Sequence, residues 1–146
     1  MGGLWLQSKN NIELCAISEL RPHEECEQDR LMTLLASIVK DGVLKKPIAV
    51  DKGTRVILDG HHRFEALKCL GCKYIPCVMF NYKSPLILVK SFRDGKNIPK
   101  EQVLKAGLSG KLFPPKTTKH LVLTWKGFVH ISRFEPDINI ELELLR

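Results

Sequence analysis

The stretch that most constrains this chain runs from Val56 to Gly71. An apolar run comes first and meets Asp59-Gly60. Apolar side chains then recur at helical spacing until the pattern ends at a glycine. The stretch therefore predicts a buried strand that turns sharply into a helix, and the first turn of that helix carries the run His61-His62-Arg63.

The start of that helix is open to two interpretations. The first amides of a helix lack internal partners and lie at the positive end of its dipole, so that an anion binds well there. A guanidinium and two imidazoles in the same turn would strengthen a phosphate site. Alternatively, Asp59 is only an N-cap and the His-His-Arg run is a solvated helix start. The local sequence does not choose between the two.

The size and composition of the chain predict one folded domain. Its 146 residues and hydrophobic fraction of 44% are ordinary for a domain with its own core. We expect residues 1–10 to form a flexible tail and residues 11–146 to form the domain. No apolar stretch approaches the length of a bilayer span, and the first residues lack the features of a secretion signal. We therefore expect no membrane association and a cytoplasmic location.

The formal net charge of +7 favours an anionic partner, which could be a nucleotide, a phosphorylated metabolite or a nucleic acid. The basic residues are scattered along the chain and do not form an arm, which weakens the interpretation as a nucleic-acid binder.

Five cysteines are present, and Cys69 and Cys72 have the spacing of one half of a zinc site. A second ligand pair at suitable spacing is missing, and Cys69 falls on the apolar face of a predicted helix. We therefore expect reduced cysteines in the core.

Periodicity predicts the remaining elements. Alternating or short apolar runs predict strands at residues 11–17, 47–50, 55–58 and 74–80, and at least one more within 128–144, where the last residues could instead form a helical turn. The second and third of these strands are predicted to form a hairpin. Helical spacing predicts helices at residues 25–40 and 100–106. The apolar run at residues 86–89 could be a strand or the start of a helix, and we favour a helix over residues 86–92.

Two further segments carry polar groups that could act in a site. Glu24 lies in the loop that enters the first predicted helix, where it is either a functional carboxylate or an ordinary first-turn acid. Residues 111–120 contain two prolines followed by two threonines among cationic side chains. These hydroxyls, amides and lysines could hold a phosphate, or Thr117 or Thr118 could cap a following short helix at a surface turn.

Three separated blocks of sequence, residues 20–24, 56–67 and 113–120, together resemble the free L-serine kinases of the ParB/sulfiredoxin superfamily. The resemblance implies an α+β fold, with a small mixed sheet and flanking helices. It also implies transfer of a phosphoryl group from ADP or ATP, with Mg²⁺, to the hydroxyl of free L-serine to give O-phospho-L-serine.

The same resemblance implies roles for individual residues. Glu24 would be the general base, and Asp59 would be a second catalytic residue that positions magnesium, the serine or the phosphate. The residues implied to bind phosphate or nucleotide are Gly60, His61, His62, Arg63, Lys116, Thr117 and Thr118. The residues implied to bind the substrate are His23, Lys119 and His120.

An alternative function is a ParB-like nucleotide- and DNA-binding module for partition or transcriptional regulation. No helix-turn-helix pattern follows the nucleotide domain, which counts against it. A sulfiredoxin-like reductase would need a cysteine in the phosphate loop, where this chain has His61. A nuclease would need an acidic cluster for two metals, and none is evident. The phosphate donor, the oligomeric state and the pathway stay open.

Overall fold

The structure is a computed structural model that describes residues 12–146, so the predicted tail at residues 1–10 lies outside the described residues. Within that range the strands are β1 (Ile12–Ala16), β2 (Val43–Leu44), β3 (Ile48–Asp51), β4 (Ile57–Asp59), β5 (Tyr74–Phe80), β6 (Ile87–Ser91), β7 (Thr118–Thr124), β8 (Gly127–His130) and β9 (Ile140–Glu141). The helices are α1 (Gln28–Asp41), α2 (His61–Cys69) and α3 (Lys100–Ser109). Short 3-10 turns occupy Ile17–Glu19, Ile131–Phe134 and Leu142–Leu145.

The strands form a four-stranded sheet, a three-stranded sheet and a short pair. The first has the order β1-β5-β3-β4, in which β3 and β5 are parallel and the other neighbours are antiparallel. The second is the antiparallel sheet β6-β7-β8, and β2 pairs with β9. The predicted α+β class with a mixed sheet is therefore confirmed, as is the hairpin of β3 and β4.

Both faces of the four-stranded sheet are covered, because alternate residues of its strands point into two different cores. In β3, Ile48 and Val50 pack with side chains of α1 and α2, whereas Ala49 faces the opposite side. That second core contains residues from β6, β7 and α3. The fully buried Ile48 and Ala49 show why such a strand reads as a continuous apolar run.

Gly60 makes the sharp passage from β4 into α2. Its φ of 98° lies in the left-handed region, which glycine enters at little cost. A Cβ atom at this position would lie 2.5 Å from Cγ2 of Ile48. Glycine is therefore needed both for the turn and for the close packing of α2 on β3.

Two local predictions are wrong. The predicted helix at residues 86–92 is the strand β6, because Ile87 and Val89 alternate into the second core and the strand pairs with β7. No helix follows Thr117 or Thr118 to be capped, because the chain there extends into β7.

The five cysteines are free. Cys15, Cys72 and Cys77 are buried as predicted, whereas Cys69 is exposed and does not lie on the packed face of α2. None of the helices within residues 12–146 is long and apolar enough to cross a membrane.

Candidate active site

A cleft of about 830 Å³ opens beside the start of α2. Among the residues implied by the resemblance, those that line it are Glu24, Asp59, Gly60, His61, His62, Arg63, Lys116, Thr118, Lys119 and His120. Residues that are far apart in the sequence therefore meet in one place. His23 and Thr117 are not among the lining residues.

Glu24 is fixed by the main chain of the segment that leads into β7. Its Oε1 atom accepts hydrogen bonds from the Thr117 amide at 3.2 Å, the Thr118 amide at 2.8 Å and the Thr118 hydroxyl at 2.9 Å. Lys116 has a left-handed φ of 56°, which turns successive amides toward one anion. These two threonines therefore hold the carboxylate of Glu24 with the groups that were predicted to hold phosphate.

Burial raises the pKa of the Glu24 carboxyl, and the hydrogen bonds from residues 116–118 oppose that shift without cancelling it. Main-chain hydrogen bonds on both sides of Glu24 also join its loop to Phe113. The Phe113 amide donates to the His23 carbonyl at 2.9 Å, and the Glu25 amide donates to the Phe113 carbonyl at 2.9 Å. The result is an immobilised carboxylate that is a stronger base than an ordinary glutamate.

The two histidines of α2 hold the same loop. His61 Nε2 accepts the His23 amide at 3.1 Å, and His62 Nε2 accepts the Glu27 amide at 3.1 Å, so that the two bonds bracket Glu24. Burial lowers the pKa of both imidazoles, and for His61 it does so far below the ordinary range. Both rings are therefore neutral near pH 7 and add no positive charge to the helix start.

The guanidinium of Arg63 is bound by neighbouring groups of the protein. Its Nη1 donates to the Pro47 carbonyl at 2.5 Å, and its Nη2 donates to Asp59 at 3.2 Å and to Glu135 at 2.8 Å. Asp59 makes no capping bond to α2, whose N-cap is Gly60, so the interpretation of Asp59 as an N-cap is wrong. Its carboxylate binds the guanidinium instead.

Glu135 is a site residue that the sequence analysis missed. Its side chain is 1% exposed and lines the cleft. Burial, followed by a hydrogen bond to Asp59 and the charge of that carboxylate, raises the pKa of Glu135 to about 8 against the pull of Arg63. The carboxyl group of Glu135 is therefore largely protonated near neutral pH, beside the carboxylate of Asp59. The available signal was a carboxylate between Phe134 and Pro136, which is an ordinary surface pattern.

The positive charge that faces the cleft comes from other residues. Arg30 on α1, Lys119 on β7 and Arg133 after β8 line it and have no carboxylate partner among residues 12–146. Lys116 differs, because its Nζ forms an ion pair with Glu27 Oε1 at 3.1 Å. Neither of the two arginines was named by the sequence analysis.

A cluster of buried histidines lies behind the cleft. The ring of His23 is 4.5 Å from that of His61 and 5.7 Å from that of His120, measured between centroids. His120 Nε2 lies 2.8 Å from the Tyr82 hydroxyl. Burial lowers the pKa of His23 to about 4 and that of His120 much further below its ordinary value. His23 is fully buried, so it contacts Thr118 and not the cleft.

A magnesium ion would find few protein ligands here. Within the described range no group of three or more His, Cys, Asp or Glu side chains could hold a metal ion by itself. Asp59 and Glu135 do bring two carboxylates together, and the Glu135 Oε2 atom is buried with no hydrogen-bond partner in the described part of the chain. One or two carboxylates suit Mg²⁺ when phosphates and water complete its octahedron, so these residues fit such an ion.

A model of the ParB N-terminal domain matches residues 6–91, which is more than half of the chain. The chain belongs to the ParB N-terminal domain family. This family domain is 36% identical over 85 residues to a ParB-like protein of Sulfolobus acidocaldarius, which is 58% of this chain and 42% of that protein. It is 36% identical to an ATP-dependent L-serine kinase of Desulfurococcus mucosus, over 56% of this chain and 34% of that enzyme.

A third relative is an ADP-dependent L-serine kinase of Thermococcus kodakarensis, which is 31% identical over 63% of this chain and 41% of the enzyme. In all three cases the matched region spans less than half of the relative's length. Among solved structures, a free serine kinase in complex with AMP has a TM-score of 0.78 at 18% identity, covering 97% of this ParB-family chain and 96% of that one. This last likeness shows the fold.

Proposed function

We propose that this ParB-family protein is a small-molecule kinase that transfers a phosphoryl group from ADP or ATP to the hydroxyl of free L-serine and releases O-phospho-L-serine. The observation that carries the proposal is the immobilised, half-buried carboxylate of Glu24 beside a cleft with a helix N-terminus and with cations that have no carboxylate partner among residues 12–146. The L-serine kinases among the relatives support the choice of nucleotide and acceptor. The proposed location is the cytoplasm, where nucleotides and free amino acids are abundant.

In this proposal the transferring phosphate binds at the start of α2. Phosphoryl transfer asks the protein for positioning and for stabilisation of charge on the equatorial oxygens. The first amides of α2 supply donors beside Gly60, and Arg30, Lys119 and Arg133 supply charge from three other elements. Arg63 contributes indirectly, because it orients Asp59 and Glu135.

Glu24 is the proposed general base. Three hydrogen bonds converge on its Oε1 atom, so we infer that Oε2 receives the proton of the serine hydroxyl. A raised pKa brings the proton affinity of the carboxylate closer to the working pH, where general-base catalysis is most effective. Such a base contributes about 10²- to 10⁴-fold in rate.

Asp59, with Glu135 beside it, would hold Mg²⁺. When bound there, the metal would neutralise part of the negative charge of the phosphates. His61 and His62 hold the loop of Glu24 in place, and Thr117 and Thr118 hold its carboxylate. We assign the charged groups of the serine to the part of the cleft near Lys119 and His120, as the resemblance implies.

The test is direct. The protein is incubated with L-serine and Mg²⁺ and with either ADP or ATP, and the products are followed by ³¹P NMR. We expect a phosphomonoester signal at the chemical shift of authentic O-phosphoserine. Signals of AMP should appear when ADP is the donor, and signals of ADP when ATP is the donor. D-serine and L-threonine serve as acceptor controls. The absence of product with both donors would reject the kinase.

A second candidate is a ParB-like nucleotide- and DNA-binding module, which the family match and the net charge of +7 favour. Fluorescence anisotropy with a labelled DNA duplex at two salt concentrations tests it. Affinity that falls steeply with salt and changes with nucleotide, in a protein that makes no phosphoserine, would support this candidate over the kinase.

A further inference from the structure

We propose that His23, acting through the hydroxyl of Thr118, sets the proton affinity of Glu24. The inference rests on the proposed function, in which Glu24 is the base. Three short contacts carry it: His23 Nδ1 lies 2.6 Å from the Ile57 carbonyl oxygen, His23 Nε2 lies 2.9 Å from Thr118 Oγ1, and Thr118 Oγ1 lies 2.9 Å from Glu24 Oε1. His23 is a positioning residue in this arrangement, because it does not touch the substrate.

The carbonyl of Ile57 fixes the tautomer of His23. A carbonyl oxygen only accepts hydrogen bonds, so the nitrogen that faces it, Nδ1, carries the proton. The ring is neutral near pH 7, because burial lowers its pKa to about 4. Its other nitrogen, Nε2, is therefore an acceptor, and it faces the Thr118 hydroxyl.

The Thr118 hydroxyl has one proton and two acceptors at equal distance. While Glu24 is ionised, the hydroxyl donates to the carboxylate. Once the Oε2 atom of Glu24 has taken the proton of the substrate hydroxyl, Oε1 is a weaker acceptor that still holds two amides. The hydroxyl then turns to His23 Nε2. The hydroxyl proton stays on Thr118 and the imidazole proton stays on Nδ1, so the only proton transferred is that of the substrate.

This change of partner makes Glu24 more basic than it would be beside a threonine alone. Without an acceptor at His23, protonation of Glu24 would leave the half-buried hydroxyl of Thr118 with a poorer acceptor, and the ionised carboxylate would be favoured. With His23 in place, the hydroxyl keeps a strong hydrogen bond in both states. The Thr118 hydroxyl lowers the pKa of Glu24, and His23 limits how far it does so.

The groups that face this chain of contacts do not add charge to it. His61 on α2 and His120 on β7 have depressed pKa values and are neutral. Cys26 is held as the thiol, because burial raises its pKa to about 12. The Lys116 amine lies toward Glu27. The charge of the Glu24 carboxylate is therefore controlled by its burial and by its own hydrogen bonds, and not by a neighbouring charge.

Substitutions on the two sides of the hydroxyl should act in opposite directions. Thr118→Val removes the donor to Glu24 and should raise the pKa of the acid limb of kcat/KM by about one unit. His23→Asn keeps an N–H for Ile57 but loses the acceptor at the position of Nε2, and should lower the pKa of that limb by about one unit. His23→Gln places an amide oxygen near the position of Nε2 and should restore it. Thr118→Ser keeps the hydroxyl and should keep the acid limb at its native position.

The matched control is Tyr82→Phe. Tyr82 is equally buried and bonds to His120 in the same histidine cluster, but it has no contact with Thr118 or Glu24. It should lower the thermal midpoint without moving the acid limb. Parallel shifts in Thr118→Val and His23→Asn, or no shift in either, would overturn the inference.

A second readout does not depend on kinase activity. The ¹³C chemical shift of the Glu24 carboxyl carbon, followed against pH in uniformly labelled protein, reports its pKa directly in each folded variant. Opposite shifts in Thr118→Val and His23→Asn should appear there as well. If they appear in a protein that makes no phosphoserine, the kinase proposal fails and the control of Glu24 by His23 stands. If phosphoserine is made and the carboxyl pKa is the same in all variants, the kinase proposal stands and the control of Glu24 by His23 fails.

Discussion

The two walls of the cleft use main chain and side chains in opposite ways. At the start of α2, the side chains of His61, His62 and Arg63 are bonded to neighbouring parts of the protein, and these residues line the cleft at the helix N-terminus, where the first amides lack internal partners. Opposite, at the start of β7, the amides of Thr117 and Thr118 fasten Glu24, and the side chain of a residue such as Lys119 is left for a ligand.

The difference shows that a cationic motif in the sequence does not by itself reveal how much positive charge is available to a ligand. From the sequence alone, the His-His-Arg run could carry up to three positive charges. In the fold, two are neutral because they are buried, and the third is matched by Asp59 and Glu135. The β7 wall instead holds the Glu24 carboxylate through its main-chain amides.

The largest expected effect comes from removing the group that the β7 wall holds. Glu24→Gln keeps the size of the side chain and an oxygen for the amides of residues 117 and 118, but it cannot accept the substrate proton. We expect kcat to fall by about 10²- to 10⁴-fold. Nucleotide affinity, measured by isothermal titration calorimetry, should change by less than about twofold.

The control for this variant is Glu25→Gln, which changes the next carboxylate along the loop. Glu25 does not line the cleft, so turnover should stay close to the native value. Unchanged turnover in Glu24→Gln would remove Glu24 as the base. Loss of nucleotide affinity together with turnover would mean that the carboxylate organises the cleft and does not act on the proton.

The next largest effect concerns the close approach of the α2 wall to β3. Gly60→Ala places a methyl group 2.5 Å from Ile48 Cγ2 in a backbone with φ of 98°. Left-handed strain and overpacking together should lower the free energy of unfolding by about 2–4 kcal/mol. Gly71→Ala has a similar φ of 74° with nothing within 4 Å, and should lose only about 1 kcal/mol. Urea unfolding compares them, and equal losses would show that the contact with Ile48 is unimportant.

The sequence predicts the local parts of both walls and misses what joins them. The strand-to-helix turn is confirmed because glycine, apolar spacing and a short strand all lie within one segment. The strand β6 was mistaken for a helix because a four-residue apolar run fits either period, and the pairing of Ile87 and Val89 with β7 decides the outcome. Tertiary contacts can override local propensity in this way.

Long-range polar contacts could not be predicted from the sequence for a different reason. Glu135 is 72 residues from Arg63, and the two meet only because the chain after β8 returns to the start of α2. The bond between Thr118 and His23 joins residues 95 apart. Family resemblance brought Glu24 and residues 116–118 to one site, but it could not tell which of their atoms face each other and which face a ligand.

A smaller effect on the free energy of unfolding tests the state of the carboxyl groups around Arg63. In protein free of divalent ions, the raised pKa of Glu135, about 8, exceeds the ordinary value of 4.5, so the folded state holds an extra proton between these limits. This contribution to the free energy of unfolding is complete below about pH 4.5 and is lost as the pH rises through 8, by at most about 1.4 kcal/mol per pH unit. Glu135→Gln should remove that slope.

Urea unfolding at a series of pH values measures the slope in both proteins. Glu143→Gln is the control, because Glu143 is largely exposed and its ion pair within residues 12–146 is with Arg146, and its slope should match the native one. A native slope retained in Glu135→Gln would mean that the Glu135 carboxyl does not hold the extra proton.

The smallest effect separates the lysine of the β7 wall from an ordinary surface lysine. Lys119 and Lys126 each lie over an aromatic ring, at 6.0 Å from the Phe92 centroid and 4.8 Å from the Trp125 centroid, so each substitution by alanine removes a charge and a cation–π contact. Only Lys119 lines the cleft. Lys119→Ala should weaken nucleotide binding about fivefold, or ~1 kcal/mol, and flatten its dependence on salt, because a partly exposed charge pair contributes little more than this. Lys126→Ala should leave both unchanged. Equal effects of the two variants, measured by calorimetry at low and high salt, would mean that the β7 wall acts only through its backbone.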